Sequence, residues 1–169
     1  MRQVFVTSDL HLGHEKAALA RGFSTVENHD EALIERWNKV VKPTDVVWNL
    51  GDVVFCPATK LHLVARLNGL QHLVIGNHEH HNLARYAPYF NKMVVALPYK
   101  EKWLFTHIPV HESQLEARFH MTNVHGHIHS TQPELFITDP RYFNVNCEFH
   151  GYAPIHVDSL DQMIKERQC

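Results

Sequence analysis

Cysteine is scarce in this chain: Cys56, Cys147 and Cys169 are the only three among 169 residues, odd in number and widely scattered. Such a set builds no disulfide framework and fits a reducing compartment. No apolar run approaches the ~20 residues needed to cross a bilayer. Met1 and Arg2 lead straight into strand-like sequence, without the charged leader and apolar stretch of a signal peptide. A cytoplasmic location with no membrane association is the expectation. A large excess of charge of one sign is missing too. A formal net charge of −2 leaves no cationic track for gripping a polynucleotide through many phosphates, so stable binding of long nucleic acid is not expected. Repeats, low-complexity tracts and Ser/Gly linkers are absent, and the length predicts one domain over 1–169 that buries roughly two-thirds of its unfolded surface. What the chain has in quantity is histidine, sixteen residues dispersed along its length.

The apolar pattern alternates between strand-like and helix-like segments. Strands are predicted over 4–8, 45–50 and 71–75. Between the first two, Ala32, Leu33, Ile34, Trp37, Val40 and Val41 recur at helical spacing, predicting a helix over 28–42 that ends at Pro43. Between the next two, Pro57 can open a helix with Leu61, Leu63, Val64 and Leu67 on its apolar face and Asn68-Gly69 as its stop. Such β-α-β crossovers force parallel pairing and place successive loops on one sheet edge. After a short helix over 82–89 the pattern turns hairpin-like: a strand over 92–97, a turn at 99–101 and a strand over 102–106. A second sheet is expected, completed by strands near 123–124, 142–147 and 155–157, with Ser159 capping a last helix over 160–167.

Five short polar clusters follow these apolar runs: Asp9-Leu10-His11, Gly51-Asp52, Gly76-Asn77-His78-Glu79, Thr106-His107 and Gly126-His127-Ile128-His129. In an open α/β sheet, ligands bind beyond the carboxyl ends of the strands, so one edge can gather all five. Carboxylate, imidazole and amide oxygen suit a borderline divalent metal. The set points to a metal-dependent hydrolase.

The ordered motifs D-x-H, G-D, G-N-H-[DE], H and G-H-x-H resemble those of the calcineurin-like metallophosphoesterase superfamily. The segment 30–38 and the tail Asn144-Val145-Asn146-Cys147-Glu148 with Gly151-Tyr152 resemble a compact bacterial and phage subgroup of it. The resemblance implies a four-layer α/β/β/α sandwich and a dinuclear phosphoesterase. It implies that Asp9, His11, Asp52 and His129 hold a first metal, and Asp52, Asn77, His107 and His127 a second, with Asp52 bridging. His78 would contact phosphate and protonate the leaving oxygen, with Glu79 orienting its imidazole. Two divalent ions, Mn²⁺ foremost with Fe, Ni, Zn or Co as alternatives, less two carboxylates and a bridging hydroxide, leave roughly +1 for an incoming phosphate, which the hydroxide attacks in line.

The expected substrate is a small nucleotide-like phosphomonoester or phosphodiester. A nuclease on the same core would need a basic element that the charge balance does not show, a non-catalytic scaffold would not need His78 and every ligand, and a phosphoprotein phosphatase stays open. His14, next to the first motif, joins His78 and Asn77 as a candidate substrate contact, and His111 and His125 flank ligands. The remaining histidines, His29, His62, His72, His80, His81, His120, His150 and His156, read as surface or packing residues. Arg21, Arg85 and Arg118 are the cations considered for a remote phosphate.

Overall fold

A computed structural model describes residues 2–81, 83–116 and 122–167. Asn82, Arg118, His120 and Cys169 lie outside the described residues. In chain order the elements are β1 (Val4–Thr7), α1 (Glu15–Ala20), α2 (Val26–Val40), β2 (Val46–Asn49), α3 (Pro57–Lys60), continued as a 3₁₀ helix over Leu61–Arg66, and β3 (Leu70–Val74). There follow α4 (Leu83–Tyr86), β4 (Lys92–Val94), β5 (Ala96–Tyr99), β6 (Trp103–Thr106), α5 (Ser113–Glu116), β7 (Thr122–His125), β8 (Tyr142–Asn144), a 3₁₀ turn at Cys147–His150, β9 (Ile155–His156) and α6 (Val157–Arg167).

Two sheets face each other. The first has the order β4-β3-β2-β1-β9, parallel except for β9; the second has the order β5-β6-β7-β8, parallel except for β5. Because successive strand side chains point to opposite faces, each strand of the first sheet feeds two cores. Phe5, Val47 and Leu73 pack under α2 and the 3₁₀ helix, while Val6, Trp48 and Val74 face the second sheet. There they meet Trp103, Phe105, Val124 and Phe143, with Leu160 and Ile164 of α6 completing the inner core. The segment after β6 is tied to the second sheet at Val110, which donates its N–H to Asn123 Oδ1 and accepts from the Tyr142 hydroxyl. The mixed α/β architecture is that of the metallophosphoesterase sandwich expected above.

α2 forms where the spacing places it. Thr25 Oγ1 accepts the Asn28 N–H at 3.1 Å, and Leu33, Ile34 and Trp37 are buried on one face. Each such burial contributes ~1.5–3 kcal/mol. The helix starts two residues before the predicted 28–42 and stops at Val40, which is exposed while Val41 is buried beyond it.

Four expectations are corrected. The predicted strand 92–97 is two strands in different sheets, and the chain crosses between them at Val95, 75% exposed. β9 joins the first sheet beside β1, not the second. The strand 142–147 leaves its ladder after Asn144, and Asn146 bridges to Ser8, tying the two sheets together at the edge that carries the polar clusters. Ser159 lies inside the helix, not at its cap: α6 starts at Val157, and the Asp158 N–H at its start is taken by His156 Nδ1 at 3.2 Å. No helix among the described residues is long and apolar enough to cross a membrane.

Candidate metal centre

The first two clusters leave β1 and β2 side by side, as those strands pair in register. Asp9 N–H donates to Gly51 O, His11 N–H to Asp52 O and Leu12 N–H to Val53 O, each at 3.0 Å. Asp9 (φ 58°), His11 (φ 51°), Asp52 (φ 56°) and His127 (φ 69°) all sit in the left-handed region, which costs a non-glycine residue of order 1–3 kcal/mol and persists where surrounding contacts hold it. The held conformations turn these side chains inward. Glycine is required where the loops touch: a Cβ on Gly126 would collide with Asp9 Oδ2 and Ser8 Oγ, and one on Gly76 with Asp52 Oδ1.

The side chains converge around Asp52. Its Oδ2 lies 3.4 Å from His107 Nε2, 3.6 Å from His78 Nε2 and 3.8 Å from His11 Nε2. Asp9 Oδ1 lies 3.9 Å from His11 Nε2 and 3.8 Å from His129 Nε2, and Asp9 also accepts the His127 N–H. Three overlapping groups have the spacing of metal ligands: Asp9, His11 and His129; His11, Asp52 and His78; Asp52, His107 and His127. His11 and Asp52 are each shared by two of them. Asn77 Oδ1 stands 2.8 Å from His107 Nε2.

Burial pushes the Asp9 carboxyl above its ordinary range and the His11 imidazolium far below its own, which keeps that ring neutral with its lone pair available. Burial opposes ionisation of Asp52 as well, but the hydrogen bond to His107 and the neighbouring imidazoles hold it at about 2. Burial disfavours the charged form of His107, yet Asp52 and Asp9 raise it to about 9. His107 Nδ1–H donates to Leu50 O at 2.7 Å, so Nε2 faces Asp52 Oδ2 and Asn77 Oδ1 with its lone pair unless a cation or proton intervenes. His11 is the sharper case: both its ring nitrogens are buried without a hydrogen-bond partner among the described residues. A buried polar atom left unpaired costs ~1–3 kcal/mol. A cation between His11, Asp9 and Asp52 removes that cost at Nε2, the nitrogen that faces both carboxylates, so the residues fit divalent metal.

The calcineurin-like phosphoesterase profile matches residues 2–166. The chain belongs to that family. It is 30% identical over 175 aligned residues to the uncharacterized protein MJ1445 of Methanocaldococcus jannaschii, covering 98% of this chain and 93% of that one. It is 31% identical over 198 aligned residues to the gene 66 protein of Mycobacterium phage D29, covering 98% of each. The fold is similar to the crystal structure of AQ665, a protein of unknown function from Aquifex aeolicus, at a TM-score of 0.76 and 22% identity over 96% of this chain and all of that one.

Every residue carried over from the family motifs, Asp9, His11, Asp52, Asn77, His78, His107, His127 and His129, stands at this one sheet edge. Glu79 is there too, but in another role. Its Oε2 accepts the N–H groups of Asp52 (2.9 Å) and Gly76 (2.8 Å) and its Oε1 that of Val53 (2.8 Å). The expectation that it orients the His78 ring is therefore corrected: this buried carboxylate fastens two ligand loops together. Burial raises its pKa against the pull of those three donors. His14 faces the cluster, its ring 5.6 Å from His11, with Nδ1 spent on capping α1 through the Ala17 N–H. His111 is turned to Ser113, and His125 Nδ1 bonds Gly126 O.

Arg21 is corrected as well. It lies behind the centre, not in the cleft, donating to the carbonyls of Leu10 and Asp9 at 2.9 and 2.7 Å and pairing with Glu148. His29 relays this inward: its Nε2 accepts from Arg21, its Nδ1–H donates to Asp30, and Asp30 accepts the Gly13 N–H in the first ligand loop. Arg85 is exposed on α4. Sequence reasoning missed Glu148, whose Oε1 stands 2.8 Å from His129 Nδ1 while Oε2 accepts from Ser130. A carboxylate on the far nitrogen fixes the tautomer and aim of a metal-binding imidazole. The available signals were its membership of the Asn144–Glu148 tail quoted above and its place just past β8, on the same sheet edge as the histidines.

Proposed function

We propose that this chain is a dinuclear metal-dependent phosphoesterase that hydrolyses a small, soluble, nucleotide-like phosphomonoester or phosphodiester. The observation that carries the reading is His11, buried with neither ring nitrogen hydrogen-bonded among the described residues and with Nε2 between the carboxylates of Asp9 and Asp52. Asp9, His11, Asp52 and His129 would hold one ion, and Asp52, Asn77, His107 and His127 the other. Bound there, divalent cations supply the positive charge that attracts phosphate and acidify water at neutral pH. Nitrogen-rich donors favour Mn²⁺ or a later transition ion over Mg²⁺.

The chain's own groups supply the rest. His78, half-buried with Nε2 3.6 Å from Asp52 Oδ2, would hand a proton to the leaving oxygen. Its backbone N–H donates to Asp52 Oδ1, so the acid and the shared carboxylate move as one unit. A net charge of −2 favours a small ester over a long polyanion, and the free thiols of Cys56 and Cys147 suit a reducing cytoplasm. The test is turnover of p-nitrophenyl phosphate and bis-p-nitrophenyl phosphate by the Mn²⁺-loaded protein, with metal analysis. Wild type should carry two ions and turn over at least one ester; Asp52→Asn should lose turnover and retain neither ion well. Two tightly held ions with no hydrolysis of either ester would refute the reading.

A further inference from the structure

Phe55 is an exposed aromatic ring at the mouth of this site that the chemistry above leaves without a task. It follows the Leu12–Val54 bridge, and its backbone N–H is pinned to Leu12 O at 3.0 Å, so its place relative to the first ligand loop is set by the backbone. The ring is 40% exposed, an orientation that forgoes burial of a large apolar side chain. It packs on His14 with ring centroids 3.7 Å apart and stands 5.4 Å from the His78 ring. His14 is itself held, because its Nδ1 caps α1.

If His78 donates the proton, the leaving group must lie on the His78 side of the centre, and the surface next to His78 on that side is Phe55 backed by His14. An aliphatic or charged leaving group gains little from a flat hydrocarbon face. A planar heteroaromatic group stacks on one whatever its hydrogen-bonding edge, because every base has a π-face. We propose that Phe55, supported by His14, is the platform on which a nucleobase of the substrate stacks. This rests on the phosphoesterase reading and narrows it to base-bearing phosphate esters.

The experiment measures the dissociation constants of adenosine 5′-monophosphate, ribose 5-phosphate and inorganic phosphate on the Mn²⁺-loaded protein, with metal content determined in parallel. Wild type should prefer the nucleotide over the sugar phosphate by about 10-fold or more, the worth of one stacked base. Phe55→Leu, which keeps an apolar side chain without a ring, should close that gap, and Phe55→Trp should keep or widen it. Equal affinity of wild type for the nucleotide and for ribose 5-phosphate, or a gap unchanged in Phe55→Leu, overturns the platform while leaving the phosphoesterase reading in place. Failure of all three anions to bind the loaded protein overturns both.

Discussion

At the scale of single residues, the candidate ligands were legible because each follows an apolar strand and carries a metal-binding side chain. The roles of Glu79, Arg21 and Glu148 were not, since they act through backbone groups or through another side chain, and such contacts leave no spacing to read. Glu148 is the one whose role measurement separates most cleanly. Its carboxylate faces His129 Nδ1, Ser130 and the Arg21 guanidinium, which hold it well below the usual carboxylate range against the pull of burial. Arg21 in turn grips the Asp9 carbonyl, which also receives the Cys147 thiol, kept protonated because burial pushes its pKa up to about 12. One carboxylate thus sets both an imidazole and the loop bearing Asp9. Glu148→Gln keeps the shape and an acceptor while removing the charge. It should weaken Mn²⁺ binding by about 10- to 100-fold, the usual cost of losing such a partner. Calorimetric titration of metal into the variant, with its melting followed under chelator to separate folding from binding, decides this. Affinity equal to wild type would reduce Glu148 to a packing role.

At the scale of elements, periodicity served where segments were long enough to show it. β1 to β3 and α2 carry repeated apolar positions, and the hairpin turn at Lys100 and Glu101 (φ 51° and 55°) stands where the polar cluster put it. α1 escaped notice because it has six residues and buries only Ala18, and β9 was misplaced because two residues cannot show which sheet they join. The passage at Val95 from one sheet to the other has no signature at all. What the elements deliver is loop contact, and Gly126 tests it. Its backbone is not left-handed, so Ala there suffers only from the collision with Asp9 Oδ2 and Ser8 Oγ. Gly22 offers the opposite control, with φ +80° and, among the described residues, nothing within 4 Å of a Cβ. Gly126→Ala should cost about 1–3 kcal/mol of stability through forced displacement and impair metal binding along with it. Gly22→Ala should cost about 1 kcal/mol or more and leave metal binding as it was. Equal metal affinity in both variants would show that the Asp9 loop tolerates displacement.

At the scale of the whole molecule, the centre is a weak point in the fold until its charge is balanced. Asp9, His11 and Asp52 are all nearly inaccessible to solvent, two are carboxylates, and the imidazole between them has no hydrogen-bond partner among the described residues. The sandwich holds this set in place through the burial on both faces of the first sheet and the bridge from Asn146 to Ser8. An ion that binds the folded chain and not the unfolded one therefore adds its binding free energy to stability. At about 100 times its Kd, one ion adds about 2.7 kcal/mol. For a chain of this size each kcal/mol raises Tm by about 2–4 °C, so Mn²⁺ should lift the melting temperature of chelator-treated protein by roughly 5–11 °C. Mg²⁺ at the same concentration should do less, because imidazole donors suit it poorly. Asp52→Asn should lose most of the shift, since the shared carboxylate serves both groups of donors. Differential scanning fluorimetry with the chelated protein, the two ions and the variant measures all of these together. A melting temperature that ignores Mn²⁺ in wild type would mean that no ion is held by the folded chain, and the unpartnered His11 would need another explanation.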